Sequence, residues 1–228
     1  MIRGYEAQAV REAEAPLLEA GEPLMLRAAR ALADHVAAHL RDTAGERAGR
    51  AARVLVLAGA GANGGDGLHA AALLRREGVA ADAITTADHL HAQGAAALRA
   101  AGGTLTALAD TTPGMLEERL ATTTLVLDAI LGLGGRPEVP EALAPLLAAV
   151  RGSGVPVIAV DLPSFVDATT GRAAPEALAA DSTVSFGAFK AGLLLPGGAE
   201  RAGALHLVDI GLSPHLHAAP SVLRLEDA

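Results

Sequence analysis

Segments with helical spacing alternate along this chain with short, continuously apolar runs. Residues 5–19 and 22–42 have apolar positions three and four apart, which predicts two helices before the first strand. Residues 41–51 are polar and resemble a loop. The run "RVLVLAG" at 53–59 is apolar after its first residue and ends in glycine, as expected of a strand buried on both faces of a parallel sheet.

The remainder of the chain repeats this alternation. Further strands are predicted at 80–85, 104–108, 123–132, 155–164, 181–188 and 203–211. Further helices are predicted at 66–77, 91–102, 113–120 and 140–150. Such a pattern predicts an α/β fold with a mostly parallel sheet and helices on both faces. The tail, 213–228, is expected to be irregular.

Composition narrows the class of protein. The 228 residues suit one α/β domain or two small ones, and the core must be built from Ala, Leu, Val and Gly because only 2% of residues are aromatic. A net charge of −8 argues against a nucleic-acid partner. The absence of cysteine excludes disulfides, thiolate zinc sites and a cysteine nucleophile. Without a membrane-length apolar run or a signal peptide, we expect a cytoplasmic protein with no membrane partner.

Three polar clusters fall where predicted strands end. They are "NGGDG" at 63–67, Asp128 with the glycine-rich loop 132–135, and "DLPS" at 161–164. The carboxyl ends of parallel strands meet at one edge of a sheet, where ligands bind. Glycines there let backbone N–H groups approach phosphates, so two such loops suit a dinucleotide. The alternative is that the glycines only make tight turns and that Asp66 only caps a helix.

An ordinary nicotinamide dehydrogenase fits these residues poorly. That class places an acid at the end of the second strand, about 20 residues after the glycines. Here Asp82 lies at the wrong end of its strand and Asp88 lies beyond it. No histidine falls in the three clusters, and His69 lies inside a predicted helix.

Five segments carry recognisable motifs in chain order: "VREAEAPLLEAGEPLMLRAARALA", "GAGANGGDGLHAA", "LVLDAILGLGG", "VIAVDLPSFVDATTG" and "DSTVSFGAFKAGLLLPGGAERAGALHLVDIGL". Together they resemble the successive motifs of the NAD(P)H-hydrate epimerases, the YjeF N-terminal domain family. The resemblance covers residues 5–212, so we expect one domain over 1–212 and a tail, 213–228, that links to a dehydratase domain. It implies a Rossmann-like three-layer α/β/α sandwich, with two extra N-terminal helices, that forms a homodimer.

The resemblance also implies an activity, an isomerase that interconverts the R and S forms of hydrated NADH and NADPH (NADHX and NADPHX). This step repairs damaged cofactor together with an ADP- or ATP-dependent dehydratase. By position, the residues that resemble the family's potassium ligands are Asn63, Asp128 and Ser164. Those that resemble its substrate-binding positions are Ala62, Asn63, Gly64, Gly65, Asp66, Gly132, Leu133, Gly134, Gly135, Arg136 and Asp161.

The reaction needs a general acid–base group, because hydroxide leaves C6 of the nicotinamide ring and water returns on the other face. Asp161 is the expected catalytic residue, and a potassium ion (K⁺) near the phosphates would position the substrate. Lys190, the only lysine in the chain, would contact a phosphate or support Asp161, unless it is a surface residue.

Three positions depart from the family pattern: Ala62 stands for Asn, Phe165 for Gly and Ala191 for Pro. At Phe165 a positive φ would cost about 1–3 kcal/mol, and a bulky side chain could intrude on the substrate. The alternative function is therefore a catalytically degenerate domain that binds a nucleotide or mediates dimerisation, with Phe165 filling the pocket.

Overall fold

The computed structural model describes residues 1–47 and 51–225, and its centre is a seven-stranded parallel sheet. In chain order its strands are β2 (Arg53–Ala58), β3 (Ala80–Thr85), β4 (Leu105–Ala107), β5 (Leu125–Ala129), β6 (Val157–Val160), β7 (Ser182–Phe186) and β9 (Ala204–Val208). Their spatial order is β4-β3-β2-β5-β6-β7-β9. β2, β3 and β4 follow one another from the centre of the sheet towards one edge. β5, β6, β7 and β9 then follow one another from β2 towards the other edge. The order therefore reverses between β2 and β5.

Helices cover both faces of this sheet. They are α1 (Ala7–Glu19), α2 (Leu24–Asp42), α3 (Ala62–Arg76), α4 (Ala92–Ala100), α5 (Pro113–Thr122), α6 (Ala144–Ser153) and α7 (Ala199–Ala202). Val54 and Val56 of β2 pack in a core with α2, α3 and α4, whereas Leu55 and Leu57 pack in a second core with α5 and α6. Burial on both faces explains why this strand is continuously apolar. The predicted three-layer α/β/α fold is confirmed.

Several strands are shorter than predicted, and the difference is largest for two of them. The apolar runs at 123–132 and 155–164 form strands only over Leu125–Ala129 and Val157–Val160. The residues that follow each strand leave the sheet and form the loops that carry Asp161 and the glycines of 132–135. An apolar run predicts burial, and residues 130–132 and 161–164 are indeed buried or half-buried, although they lie outside the strands.

A second, three-stranded sheet corrects the prediction at both ends of the chain. It consists of β1 (Ile2–Tyr5), β8 (Phe189–Lys190) and β10 (Val222–Arg224) in the order β10-β1-β8. A strand therefore precedes the two N-terminal helices, and the tail expected to be irregular contains β10. These strands are short, without alternation, and pair with residues far along the chain. Local pattern could not reveal them.

The start of α3 also differs from the prediction. This helix begins at Ala62, four residues before the predicted start at 66, so Asp66 lies inside it and is not its N-cap. Glycine is unfavourable in the interior of a helix, so the glycine-rich first turn was not predicted as helical. Close packing explains the glycines: a Cβ on Gly64 would lie 2.1 Å from the carbonyl oxygen of Gly59.

Two further features concern the predicted loop at 41–51 and the membrane-spanning potential of the helices. In the predicted loop 41–51, Ala44–Arg47 forms a 3-10 turn, and residues 48–50 lie outside the described residues. Among the helices that the structure describes, none combines the length and the apolar character needed to cross a membrane.

Acid is expected to weaken this fold through His35 of α2. Burial, followed by the nearby His206 and His39, lowers the pKa of the His35 imidazole to about 4. The ring centroids of His35 and His206 lie 4.3 Å apart, and His35 Nε2 lies 3.4 Å from Ser182 Oγ. The unfolded chain binds this proton near pH 6.5. The neutral, packed His35 therefore contributes its full stabilisation above about pH 6.5. As the pH falls towards 4 the unfolded chain binds the proton first, and this stabilisation is lost.

This contribution can be measured by urea unfolding at pH 7 and at pH 4.5. We expect the loss of this stabilisation to lower the free energy of unfolding by about 1–2 kcal/mol in acid. The effect is modest because the His35 ring is half exposed and solvent screens its charge. His35→Gln should reduce the difference between the free energies of unfolding at pH 7 and at pH 4.5 by that amount. His89→Gln, which changes an exposed histidine, should leave it unaltered. Equal acid sensitivity of His35→Gln and the wild type would contradict the assignment.

Candidate active site

A cavity of about 430 Å³ lies where the strand order reverses, beside the ends of β2, β5 and β6. All three polar clusters contribute to its lining, through Asn63 and Asp66, through Gly132 and Gly134, and through Asp161. Helices α1 and α2 contribute Glu14 and Met25 to its wall. Ligands of open parallel sheets bind in such a crevice, outside the carboxyl ends of the strands.

Asp161 directly follows β6 and presents one carboxylate oxygen to the cavity. Its Oδ1 accepts hydrogen bonds from the Phe186 amide at 3.1 Å and from the Lys190 ammonium. Among the described residues no partner is found for Oδ2, which is left available to a ligand. Asp161 also has φ of 66°, a backbone conformation that costs a non-glycine residue about 1–2 kcal/mol. The site therefore holds this side chain in a strained but fixed position.

Lys190 is buried, with 1% of its surface exposed, so the surface alternative is wrong. Besides Asp161, its ammonium donates to the Phe186 carbonyl oxygen at 3.0 Å and to Ser185 Oγ at 3.3 Å. Its three N–H groups are thus all occupied. Of the two functional alternatives, this geometry favours support of Asp161 over contact with a phosphate.

Asp128, Ser164 and Asn63 are joined through the backbone of one residue, Leu131. Ser164 Oγ donates to Asp128 Oδ1 at 2.5 Å and accepts from the amide of Leu131 at 2.9 Å. The carbonyl oxygen of Leu131 accepts from Asn63 Nδ2 at 2.9 Å. The three residues that resemble potassium ligands are therefore neighbours, although they come from different loops.

Asp128 is 1% exposed and pairs with no basic side chain within residues 1–47 and 51–225. Its carboxylate accepts hydrogen bonds from the backbone and hydroxyl of Ser164 and, at 3.5 Å, from the amide of Ile130. Burial raises the pKa of Asp128 although these hydrogen bonds oppose the rise. A buried carboxylate without a counter-charge is costly, so a bound cation would stabilise it.

The residues expected to bind substrate divide into two groups. Those that line the cavity are Ala62, Asn63, Asp66, Gly132, Leu133, Gly134 and Asp161. Those that lie outside its lining are Gly64, Gly65, Gly135 and Arg136. Gly64 and Gly65 are buried, and a Cβ on Gly65 would come within 2.8 Å of the His91 ring and 2.9 Å of the Met25 methyl group. The first group can contact a ligand directly, whereas Gly64 and Gly65 allow the start of α3 to pack.

Glu14 is a site residue that the sequence analysis missed. It lies on α1 and lines the cavity with Arg11 and Leu18, to which it is related by spacings of three and four residues. That spacing, which places the three on one helix face, is the signal that could have identified it.

The carboxyl groups in the cavity influence one another. Burial raises the pKa of Glu14, Lys190 opposes this, and Asp161 raises it further. The pKa of Asp66 is raised well above its usual range, first by burial and then by Asp161 and Glu14. Asp66 Oδ1 is enclosed and has no hydrogen-bond partner in the described structure. The cavity therefore favours protonated carboxyl groups beside the Asp161–Lys190 pair.

Phe165 does have positive φ, 66°, but its side chain does not fill the cavity. The ring is 2% exposed and packs in the core formed with α5 and α6, together with Ala174 and Leu178. A phenylalanine at this position therefore strains the backbone and leaves the cavity open. The structure therefore lacks the feature expected of a degenerate domain, which is a cavity filled by Phe165.

The features of a dehydrogenase are absent from the described residues near this cavity. Asp82 binds the amide and hydroxyl of Thr104, both at 2.8 Å, and so holds the start of β4. Asp88 is exposed in the loop after β3. His69 packs beside His91, with ring centroids 5.8 Å apart, and burial lowers the pKa of its imidazole.

Comparison with known proteins agrees with this fold. The chain is 44% identical to the NAD(P)H-hydrate epimerase of Microbacterium testaceum, over 96% of this chain and 82% of that protein. It is 42% identical to the bifunctional NAD(P)H-hydrate repair enzyme Nnr of Mycobacterium leprae, over 91% of this chain and 41% of that one. The crystal structure of the yeast protein YNL200c superposes with a TM-score of 0.76 at 19% identity, over 99% of this chain and 98% of that one, which shows the shared fold. Residues 21–192 match the family described as YjeF-related protein N-terminus, and this chain belongs to that family.

Proposed function

We propose that this protein interconverts the R and S forms of hydrated NADH and NADPH, in which C6 of the nicotinamide ring carries a hydroxyl group. The names of the relatives support this activity. The observation that carries the proposal is the Asp161 carboxylate. One of its oxygens is held by Lys190 and the Phe186 amide, and the residue lines a cavity at the reversal point of the sheet.

The chemistry requires a proton to be given and another to be taken at one carbon. Loss of hydroxide from C6 leaves a planar ring whose nitrogen carries the positive charge, and water that adds to the opposite face inverts the centre. A carboxyl group within reach of C6 serves as the acid–base catalyst. Lys190 acts as a positioning residue, because its hydrogen bonds fix the rotamer of Asp161.

Two backbone features suit the phosphates of such a substrate. The first turn of α3 begins at Ala62, and its N–H groups carry the positive end of the helix dipole. The loop Gly132–Gly134 faces the same cavity from the end of β5 and lacks bulky side chains at both glycines. A dinucleotide held between these elements would place its ring towards Asp161.

A potassium ion fits the oxygen donors beneath this loop. Asn63, Asp128 and Ser164 would hold it, and its charge would balance the buried Asp128 carboxylate. When bound, the ion would supply a fixed positive charge. Without redox or acid–base chemistry of its own, it helps to hold the substrate in position.

Thermal unfolding in KCl and in tetramethylammonium chloride, at equal ionic strength, tests the ion site. At about ten times the dissociation constant, K⁺ should stabilise the fold by about 1.4 kcal/mol, a rise in Tm of roughly 3–5 °C. Asp128→Asn should abolish the difference between the two salts. Asp34→Asn, at an exposed position, should keep it. Equal Tm values of the wild type in both salts would rule out the ion.

We further propose that the protein is a cytoplasmic homodimer and that its product passes to an ADP- or ATP-dependent dehydratase. The dehydratase and the dimer follow from the family resemblance. The bifunctional name of the Mycobacterium leprae relative, of which this chain spans 41%, supports pairing with a second repair activity. Light scattering of the purified protein would measure the oligomeric state, and a mass of one chain would refute the dimer.

The activity itself is tested by supplying R-NADPHX to the protein in KCl and following the S form by chromatography. We expect conversion far above the spontaneous rate. A folded protein that binds R-NADPHX but does not accelerate its conversion would refute the proposal and favour the degenerate domain.

A further inference from the structure

The epimerisation needs two proton transfers, and the cavity holds more than one carboxyl group that can perform them. Asp161 reaches it from the end of β6, and Glu14 reaches it from α1. We propose that Glu14 is a second acid–base catalyst, which gives a proton to the departing C6 hydroxyl group while Asp161 takes one from the replacing water. This inference rests on the proposed function.

Helix α1 is fixed over the cavity by contacts at both sides of it. The amide of Ala7 donates to Thr169 Oγ1 at 3.1 Å, near the Asp161 loop. Arg11 Nη2 donates to the carbonyl oxygen of Leu133 at 2.8 Å, across the glycine loop. Glu14 lies one turn after Arg11 on the same face. Within the described residues its carboxyl group makes no side-chain hydrogen bond or ion pair, so it is available to a ligand.

Burial of Glu14 in the cavity wall, rather than the charges around it, favours its protonated form as an acid. It faces Asp161 and Asp66, two other carboxyl groups, and the cations Lys190 and Arg11. Lys190 is bonded to Asp161, and the Arg11 guanidinium is bonded to a carbonyl oxygen. Burial raises the pKa of Glu14 despite these cations.

Glu14 suits this role better than Asp66 does. Asp66 lies inside α3 with an enclosed carboxylate oxygen, whereas Glu14 is only half-buried. The catalytic acid must recover its proton from solvent after each turnover. That exchange is open to Glu14 and hindered at Asp66.

The step balances without an oxidant or a reductant. The C6–O bond breaks with its electron pair on oxygen, which takes the Glu14 proton and leaves as water, while the nitrogen lone pair forms a C=N bond. Water then adds to C6 from the other face, one of its protons passes to Asp161, and the C=N π pair returns to nitrogen. One proton has moved from Glu14 to Asp161, and exchange with solvent restores both groups. The reverse direction uses the same groups in the opposite roles.

The test compares Glu14→Gln with Glu12→Gln, a matched change on the same helix at an exposed residue whose carboxylate accepts a hydrogen bond from Gln8. We expect Glu14→Gln to lower kcat for NADPHX epimerisation about 100-fold, with KM and Tm within twofold and 2 °C of the wild type. Glu12→Gln should retain the wild-type kcat. Glu14→Asp, which keeps the carboxyl group, should recover part of the loss.

The pH profile separates an acid from a structural residue. In the wild type, kcat should decline at alkaline pH as Glu14 loses its proton, and this decline should vanish in Glu14→Gln. A Glu14→Gln variant with wild-type kcat, or with the same alkaline decline, would overturn the role of Glu14 while leaving the epimerase intact. If the wild type itself does not epimerise NADPHX, the proposed function fails and this role fails with it.

Discussion

Replacing Asp161 with asparagine is expected to slow epimerisation of NADPHX about 1,000-fold. The amide keeps the size of the side chain and can still accept from the Phe186 amide, but it cannot exchange a proton with the hydroxyl group or with water. The Lys190 ammonium would also lose its ionic partner in a buried site. The loss should therefore appear in kcat, with a smaller change in KM.

The assay requires a check that the variant is folded. Lys190→Met in combination with Asp161→Asn removes the unpaired ammonium, so the double variant should be at least as stable as Asp161→Asn and equally inactive. Asp88→Asn, an exposed change outside the cavity, serves as the matched control and should retain full activity. Retention of more than a tenth of wild-type kcat by a folded Asp161→Asn protein would exclude Asp161 as the acid–base group.

Phe165 is the position of the second large effect, on stability. Truncation of its buried ring to alanine should lower the free energy of unfolding by about 3–5 kcal/mol. Phe165→Gly deletes the same ring but relieves the positive φ, so it should be about 1 kcal/mol more stable than Phe165→Ala. This order is the reverse of that expected at a helical position.

Urea unfolding of both variants and of the wild type measures these differences. Because the ring packs away from the cavity, kcat of both variants below their Tm should stay close to the wild-type value. An alanine variant more stable than the glycine variant would contradict the backbone assignment. A gain in activity on removal of the ring would show that Phe165 does reach the substrate.

The central sheet could be predicted from sequence because its strands are buried on both faces. Runs such as that of β2 have no polar interruptions and are flanked by glycine, so local pattern and tertiary environment agree. The start of α3 could not be predicted, because its first turn is rich in glycine for packing against Gly59 rather than for helix propensity. β1, β8 and β10 were hidden for a different reason, since their stability comes from partners far along the chain.

The candidate site was predictable where its residues follow strands of the parallel sheet. Asn63, Asp128 and Asp161 each follow or end such a strand, and strand ends converge by topology. Glu14 belongs to a helix outside that repeating pattern, so no strand-end rule places it. The burial of Lys190 was equally hidden, because it depends on the pairing of β8 with β1.

That pairing has a consequence for the time at which the protein becomes active during synthesis. Tyr5 registers with Lys190, and Arg3 with Leu223, so β1 can pair with its partners only after residues far along the chain have been synthesised. Because synthesis proceeds at about 5–20 residues per second, β8 is made roughly 10–40 seconds after β1. A nascent chain can assemble β2, β3 and β4 during that interval. Lys190, which supports Asp161, is fixed only when β8 pairs with β1, so chemistry should begin only after that pairing has formed.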